Sequence, residues 1–131
     1  MNESIYFSVI FPTNNRAKDV DETLSQLQKS TFKNFEVIIV DNNSTDKTYE
    51  ISKKYNFVKY IKNDFNNYVV GARNQGVKEA KGEVILHIDD DSFPGIYAME
   101  RAYAVFEKNK DIGVISCGIK NYEIYKNEFA N

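Results

Sequence analysis

The sequence predicts an α/β fold, a doubly wound, mostly parallel sheet with helices on both faces. Three observations carry this. Short apolar runs rich in β-branched and aromatic residues alternate with stretches whose apolar residues recur at helical spacing. The runs are continuously apolar instead of alternating, as strands buried on both faces require. Strand–helix alternation itself calls for parallel strands joined by right-handed crossovers.

The elements follow in order. Phe7–Phe11 is the first strand, and Val20, Leu24 and Leu27 form the apolar stripe of the first helix. Phe35–Val40 is the second strand. Tyr49–Tyr55 is helical, with Ser44, Thr45 and Asp46 as candidate N-caps. Val58–Ile61 is a weaker third strand. Val69, Ala72, Gly76 and Ala80 put small residues on one face of a third helix, and Gly82 suits its C-terminal stop. Val84–Ile88 is the fourth strand. Met99, Ala102, Tyr103 and Phe106 mark a fourth helix, and Gly113–Ile119 is expected to close the sheet as a fifth strand. Residues 1–131 thus read as a single domain or the N-terminal portion of one, with 121–131 as an unassigned tail.

Composition narrows the function. A chain of 131 residues fits one domain, and 42% hydrophobic with 14% aromatic residues excludes a disordered one. No apolar run is long enough to span a membrane, and the N-terminus lacks the pattern of a signal peptide. One cysteine, Cys117, precludes a disulfide within the chain and makes a reducing, cytoplasmic setting the expectation. Cys117 lies in an apolar run and reads as a small core residue. A net charge of −2 carries no basic footprint for nucleic acid. Arginine occurs only at Arg16, Arg73 and Arg101, so each deserves inspection as a bidentate ligand for phosphate or carboxylate.

In open parallel sheets ligands bind outside the carboxyl ends of the strands. Three polar clusters fall there: Pro12–Asn15, Asp41–Ser44 and Asp89–Ser92. The triple aspartate Asp89-Asp90-Asp91 is the sharpest feature. Adjacent carboxylates repel one another unless solvent or a cation relieves them. Hard divalent cations accept such oxygens together with phosphates, and a metal there would stabilise a diphosphate leaving group. The bland alternative is a polar turn capping the helix near Pro94. Asp41 at the end of strand two could hold ribose hydroxyls or merely form an Asx-turn. Neither a G-x-G-x-x-G fingerprint nor a P-loop occurs, so metal plus aspartate is the available phosphate device. Arg73, near the start of the third helix, could reach a phosphate or a base, or pair with a nearby carboxylate. His87, inside strand four, reads as a core or hydrogen-bonded residue.

Together these residues resemble family 2 glycosyltransferases with the GT-A fold. The resemblance rests on SVIFPTNNRAKDVDETLSQLQKSTFKNFEVIIVDNNSTDKT and on NYVVGARNQGVKEAKGEVILHIDDDS, and covers nearly Phe7 to Gly118. In that family a Pro-Thr-x-Asn-Arg-like loop, an Asp followed by a Gly/Asn-Ser-Thr-Asp turn, an Ala-Arg-Asn-x-Gly helix and an Asp-x-Asp type motif follow one another as they do here. The resemblance implies a nucleotide-sugar site in which Thr13, Asp41, Arg73, Asp89 and Asp90 contact a nucleotide-diphospho-sugar, with UDP as the family-weighted nucleotide. It implies Mn2+ or Mg2+ held by Asp91 and Asp89, and transfer with inversion to a glycan, lipid or protein acceptor, at or near the inner face of the membrane.

Two departures stand out. The family's second half supplies the acceptor site and general base, yet only about forty residues follow Asp91 here, and neither Asp111 nor Glu123 or Glu128 suits the role. The expectation is a truncated chain whose base lies elsewhere, or a fragment that binds the donor without turning it over. A truncated sheet would expose apolar surface through which two copies could pair. The turn Asn42-Asn43 also replaces the commoner Asp-Gly. A receiver or flavodoxin-like domain is the remaining alternative, with Asp64 as an imperfect phosphoacceptor.

Overall fold

The computed structural model describes residues 4–120. Its elements are β1 (Phe7–Thr13), α1 (Ala17–Gln28), β2 (Phe35–Asp41), α2 (Thr48–Ser52), β3 (Val58–Lys62), α3 (Tyr68–Glu79), β4 (Val84–His87) and α4 (Ala98–Lys108). The four strands form one parallel sheet in the order β3-β2-β1-β4. The receiver and flavodoxin-like reading fails here, because that fold sets its third strand beside the first.

Handedness explains where the helices lie. The path β1 to β2 to β3 moves in one direction, and a right-handed crossover keeps its helices on one face. The step from β3 to β4 reverses direction, so its helix must change face. Accordingly, Val20, Leu24 and Leu27 of α1 pack on Val9, Phe11, Val37 and Ile39, with Ile51 of α2 and Met99 of α4 joining the same cluster. Ala72 of α3 packs on Ile10, Ile38 and Val40 on the opposite face. The two central strands therefore carry apolar residues on both sides, and all seven residues of β1 are buried.

Small residues set the spacing of α3. A Cβ on Gly76 would stand 2.5 Å from Ile10 Cγ2. Gly82 plays a different part from the one its position suggests. No glycine among the described residues has positive φ, and α3 ends at Ala80 in extended backbone. Gly82 is small because a Cβ there would meet Ser8 N at 2.6 Å and the Phe7 carbonyl carbon at 2.8 Å. Its N–H donates to Ser8 Oγ at 2.8 Å, pinning the entry to β4 against β1.

Among the described residues the expected fifth strand is not seen: 113–119 pair with none of them, and a strand exists only through its ladder. Cys117, expected in the core, is accordingly exposed. The tail 121–131, with Glu123 and Glu128, lies outside the described residues. No helix among the described residues is long and apolar enough to cross a membrane.

Candidate donor site at the carboxyl edge

The sheet order makes the ends of β1, β2 and β4 converge where the strand path reverses. The register pairs Thr13 with Asp41. The loops beyond them are laced together. Asn15, at φ 53°, accepts at Oδ1 from Thr45 N (2.8 Å) and Asp46 N (3.2 Å), while its own N–H donates to Ser44 Oγ (2.8 Å). Asn14 Nδ2 donates to the Asn42 carbonyl at 2.6 Å. Asn43 has φ 67°, a conformation glycine adopts freely and asparagine tolerates. The Asn42-Asn43 departure from Asp-Gly thus leaves the turn's backbone attainable. None of the three cap candidates is the N-cap of α2, which is Lys47 without a side-chain cap, but Asp46 just before it accepts from Thr48 N (3.0 Å) and from Ala17 N (3.1 Å). Burial opposes its ionisation, but these hydrogen bonds outweigh it and hold the carboxyl below the usual range.

Asp41 is fully buried, with 0% exposure. Its Oδ1 accepts from Ser44 N (2.9 Å) and Ser44 Oγ (2.5 Å), and its Oδ2 accepts from the Tyr60 hydroxyl. Burial, and then the hydrogen bond to Asp41, push the Tyr60 hydroxyl well above its ordinary pKa. In this arrangement the carboxylate braces the turn.

Each of the three aspartates has its own hydrogen-bond partner, Arg16 also lies 3.8 Å from Asp90 Oδ1, and Asp91 still repels Asp90. Asp89 Oδ1 accepts from Arg73 Nη2 at 2.6 Å. Asp90 Oδ2 accepts from Thr13 Oγ1 at 2.9 Å, and its backbone carbonyl accepts from Thr23 Oγ1 at 2.9 Å. Asp91 Oδ2 accepts from Arg16 Nη2 at 3.0 Å, and the same guanidinium bonds Asp19 at 3.0 Å. Burial raises the Asp90 pKa, with the Thr13 hydrogen bond and Arg16 only partly opposing. Arg73 also lies 3.4 Å from His87 Nδ1. Burial and then the Arg73 charge lower the His87 pKa, so neutral His87 can accept this contact. The helix-capping alternative for the aspartates does not occur, since α4 begins at Ala98 without a side-chain cap.

A cleft of about 460 Å³ opens over this edge. Thr13, Asp89, Asp90 and Asp91 line it, as the sequence led one to expect, whereas Arg73 grips Asp89 without lining the cleft and Asp41 stands apart. Arg16 and Tyr68 also line it, and neither had been assigned a role. The signal for Arg16 was its place in the loop after strand one. Among the described residues, no three His, Cys, Asp or Glu side chains are placed to hold an ion by themselves. Asp89 and Asp91 still offer exposed carboxylate oxygens on one cleft, which suits a hard cation that takes one or two carboxylates and completes its shell with substrate phosphates and water.

A parallel sheet with its site at the strand reversal is the signature of a nucleotide-binding α/β domain. Residues 8–130 match the sequence model for glycosyl transferase family 2, and the chain belongs to that family. An uncharacterised glycosyltransferase of Haemophilus influenzae is 36% identical over 109 residues, covering 82% of this chain and 37% of that protein. The poly(ribitol-phosphate) beta-N-acetylglucosaminyltransferase TarS of Staphylococcus aureus is 36% identical over 109 residues, 79% of this chain and 19% of TarS. The crystal structure of TarS 1-349 in complex with UDP-GlcNAc superposes with TM-score 0.78 at 32% identity, covering 88% of this chain and 37% of that one. The mannosyltransferase PcManGT of Pyrobaculum calidifontis, solved with GDP-Man and Mn2+, shares the fold with TM-score 0.79 at 22% identity, over 96% of this chain and 39% of that one. The chain thus spans well under half the length of these relatives.

Proposed function

We propose that this chain forms the nucleotide-sugar-binding half of an inverting, metal-dependent glycosyltransferase that uses a UDP-sugar. The observation that carries this reading is the cleft in which Thr13, Arg16 and Asp89–Asp91 meet at the carboxyl edge. Thr13, Asp89 and Asp90 would contact the donor directly. Arg73 would orient Asp89 or turn to the nucleotide, and Asp41 would reach it by exchanging an internal partner. Asp91 and Asp89 would hold Mn2+ or Mg2+, which offsets the charge of a diphosphate leaving group. The arginine lining the cleft, Arg16, offers further donors to phosphate oxygen.

In the transfer, an acceptor hydroxyl attacks the anomeric carbon. The bond from that carbon to the diphosphate breaks, and the hydroxyl proton passes to a general base. No carboxylate beyond Asp91 lines the cleft among the described residues. The base would therefore come from another part of the protein. This also favours a second reading, a fragment that binds donor without turnover. A cytoplasmic setting, at the inner membrane face for a lipid acceptor, goes with either.

Calorimetric titration of UDP with Mn2+, then with EDTA, and with GDP as control, tests the donor reading. Mn2+-dependent binding selective for UDP is expected. Absence of binding to either nucleotide would overturn it.

A further inference from the structure

One residue in the cleft has a conformation that needs a reason. Tyr68 opens α3 at φ 54°, in the left-handed region where a bulky side chain is a true outlier. Such strain persists only where the surroundings over-determine it, and here they do. Tyr68 N donates to Asn66 Oδ1 at 2.9 Å, and its carbonyl accepts from Asn42 Nδ2 at 3.2 Å. Asn42 is fixed in turn, its Oδ1 accepting from Asn63 Nδ2 and from Asn67 N, each at 3.2 Å. An amide lattice between the end of β2 and the start of α3 thus holds the backbone of a tyrosine whose residue is 77% exposed, against the cleft. The ring stabilises no core.

The cleft's lining falls into two bonded groups. Arg16 with Asp90 and Asp91 supplies charge. Tyr68, linked to Asn66 and Asn42 and through Asn42 to Asn14, supplies an aromatic face and amide groups. A diphosphate suits the first group. A nucleobase, planar and edged with amide-like donors and acceptors, suits the second.

We propose that Tyr68 is an affinity-determining residue of the donor site, its ring stacking on the nucleobase. This rests on the donor reading above and assigns the nucleoside part of that site. Because every base has a π-face, stacking contributes affinity without choosing among bases.

The test compares the 131-residue chain with Tyr68→Phe and Tyr68→Gly, using UDP and inorganic pyrophosphate with Mn2+, and following Tm. Tyr68→Gly should weaken UDP binding about tenfold, by analogy with base–aromatic stacking elsewhere. It should leave pyrophosphate binding unchanged and raise Tm, since glycine relieves the left-handed backbone. Tyr68→Phe should bind UDP as the parent does. A merely structural tyrosine would not weaken binding while raising Tm. Equal UDP affinity in parent and Tyr68→Gly would overturn the stacking and leave the donor site standing. A parent that binds neither UDP nor pyrophosphate would overturn the donor reading, and this proposal with it.

Discussion

Asp90 shows how a side chain that lines the cleft can weigh on the stability of the fold. Its carboxyl is held by Thr13 but largely removed from water, and its pKa is raised. A raised carboxyl binds its proton more tightly folded than unfolded. Stability therefore falls as pH climbs from the ordinary aspartate value through the folded one, and the penalty is complete above it. Asp90→Asn keeps an acceptor for Thr13 without the charge. It should raise Tm at pH 7 in metal-free buffer, and the gain should vanish below the ordinary aspartate range. A Tm difference that is flat with pH would contradict this. Asp91 is the opposite case, with a side chain 53% exposed and a solvent-screened partner in Arg16. Asp91→Ala should cost less than about 0.5 kcal/mol of stability while abolishing Mn2+-dependent UDP binding. Unchanged UDP affinity would remove Asp91 from the proposed metal ligands. The place of both aspartates at the sheet's carboxyl edge was legible in the sequence, because they follow an apolar run. The burial of Asp41 was not, since it depends on Ser44 and on Tyr60 of a different strand.

At the scale of elements, the central strands were the easiest to read. β1 is buried throughout and β2 from Val37 onward, so these positions are under the same pressure and Val9–Phe11 and Val37–Val40 run apolar without a break. The expected fifth strand, unpaired among the described residues, shows the converse. Val114, Ile115 and Ile119 have strand-like chemistry, but pairing is decided by a neighbour that local sequence does not name. Glycines carried a further ambiguity, since a small residue after a helix can mean a turn or a close approach. At Gly82 it means the latter, and the clash is with backbone that cannot swing aside. Gly82→Ala should cost about 3 kcal/mol, the upper end for overpacking. Gly76→Ala should cost less, because alanine recovers about 1 kcal/mol of helix propensity against the strain on Ile10. Urea melts rank the two, and a fully stable Gly82→Ala would show that the entry to β4 is looser than this packing.

Among the described residues the sheet has two edges, β3 on one flank and β4 on the other. β4 pairs with β1 and with no other strand among the described residues, and beyond α4 Val114 and Ile119 are 85% and 99% exposed. Apolar surface of this kind seeks cover. Light scattering of the isolated chain should show dimers at high concentration, and a monomer throughout would count against pairing through this flank. The fold's class was legible because periodicity reports burial. The shape of the cleft was not, because Tyr68 enters it through a backbone angle that no spacing rule predicts.

The hydrogen bond from Thr13 to Asp90 spans 77 residues of sequence. During synthesis, β1, β2 and β3 can assemble while β4 is still unmade, since each neighbouring pair among them is joined by one short crossover. The cleft gains its acidic wall only when β4 docks beside β1. On the proposed donor reading, nucleotide capture should follow the docking of β4, arriving after β1, β2 and β3 are in place and lending its binding energy to the strand pairing of highest contact order among the described residues.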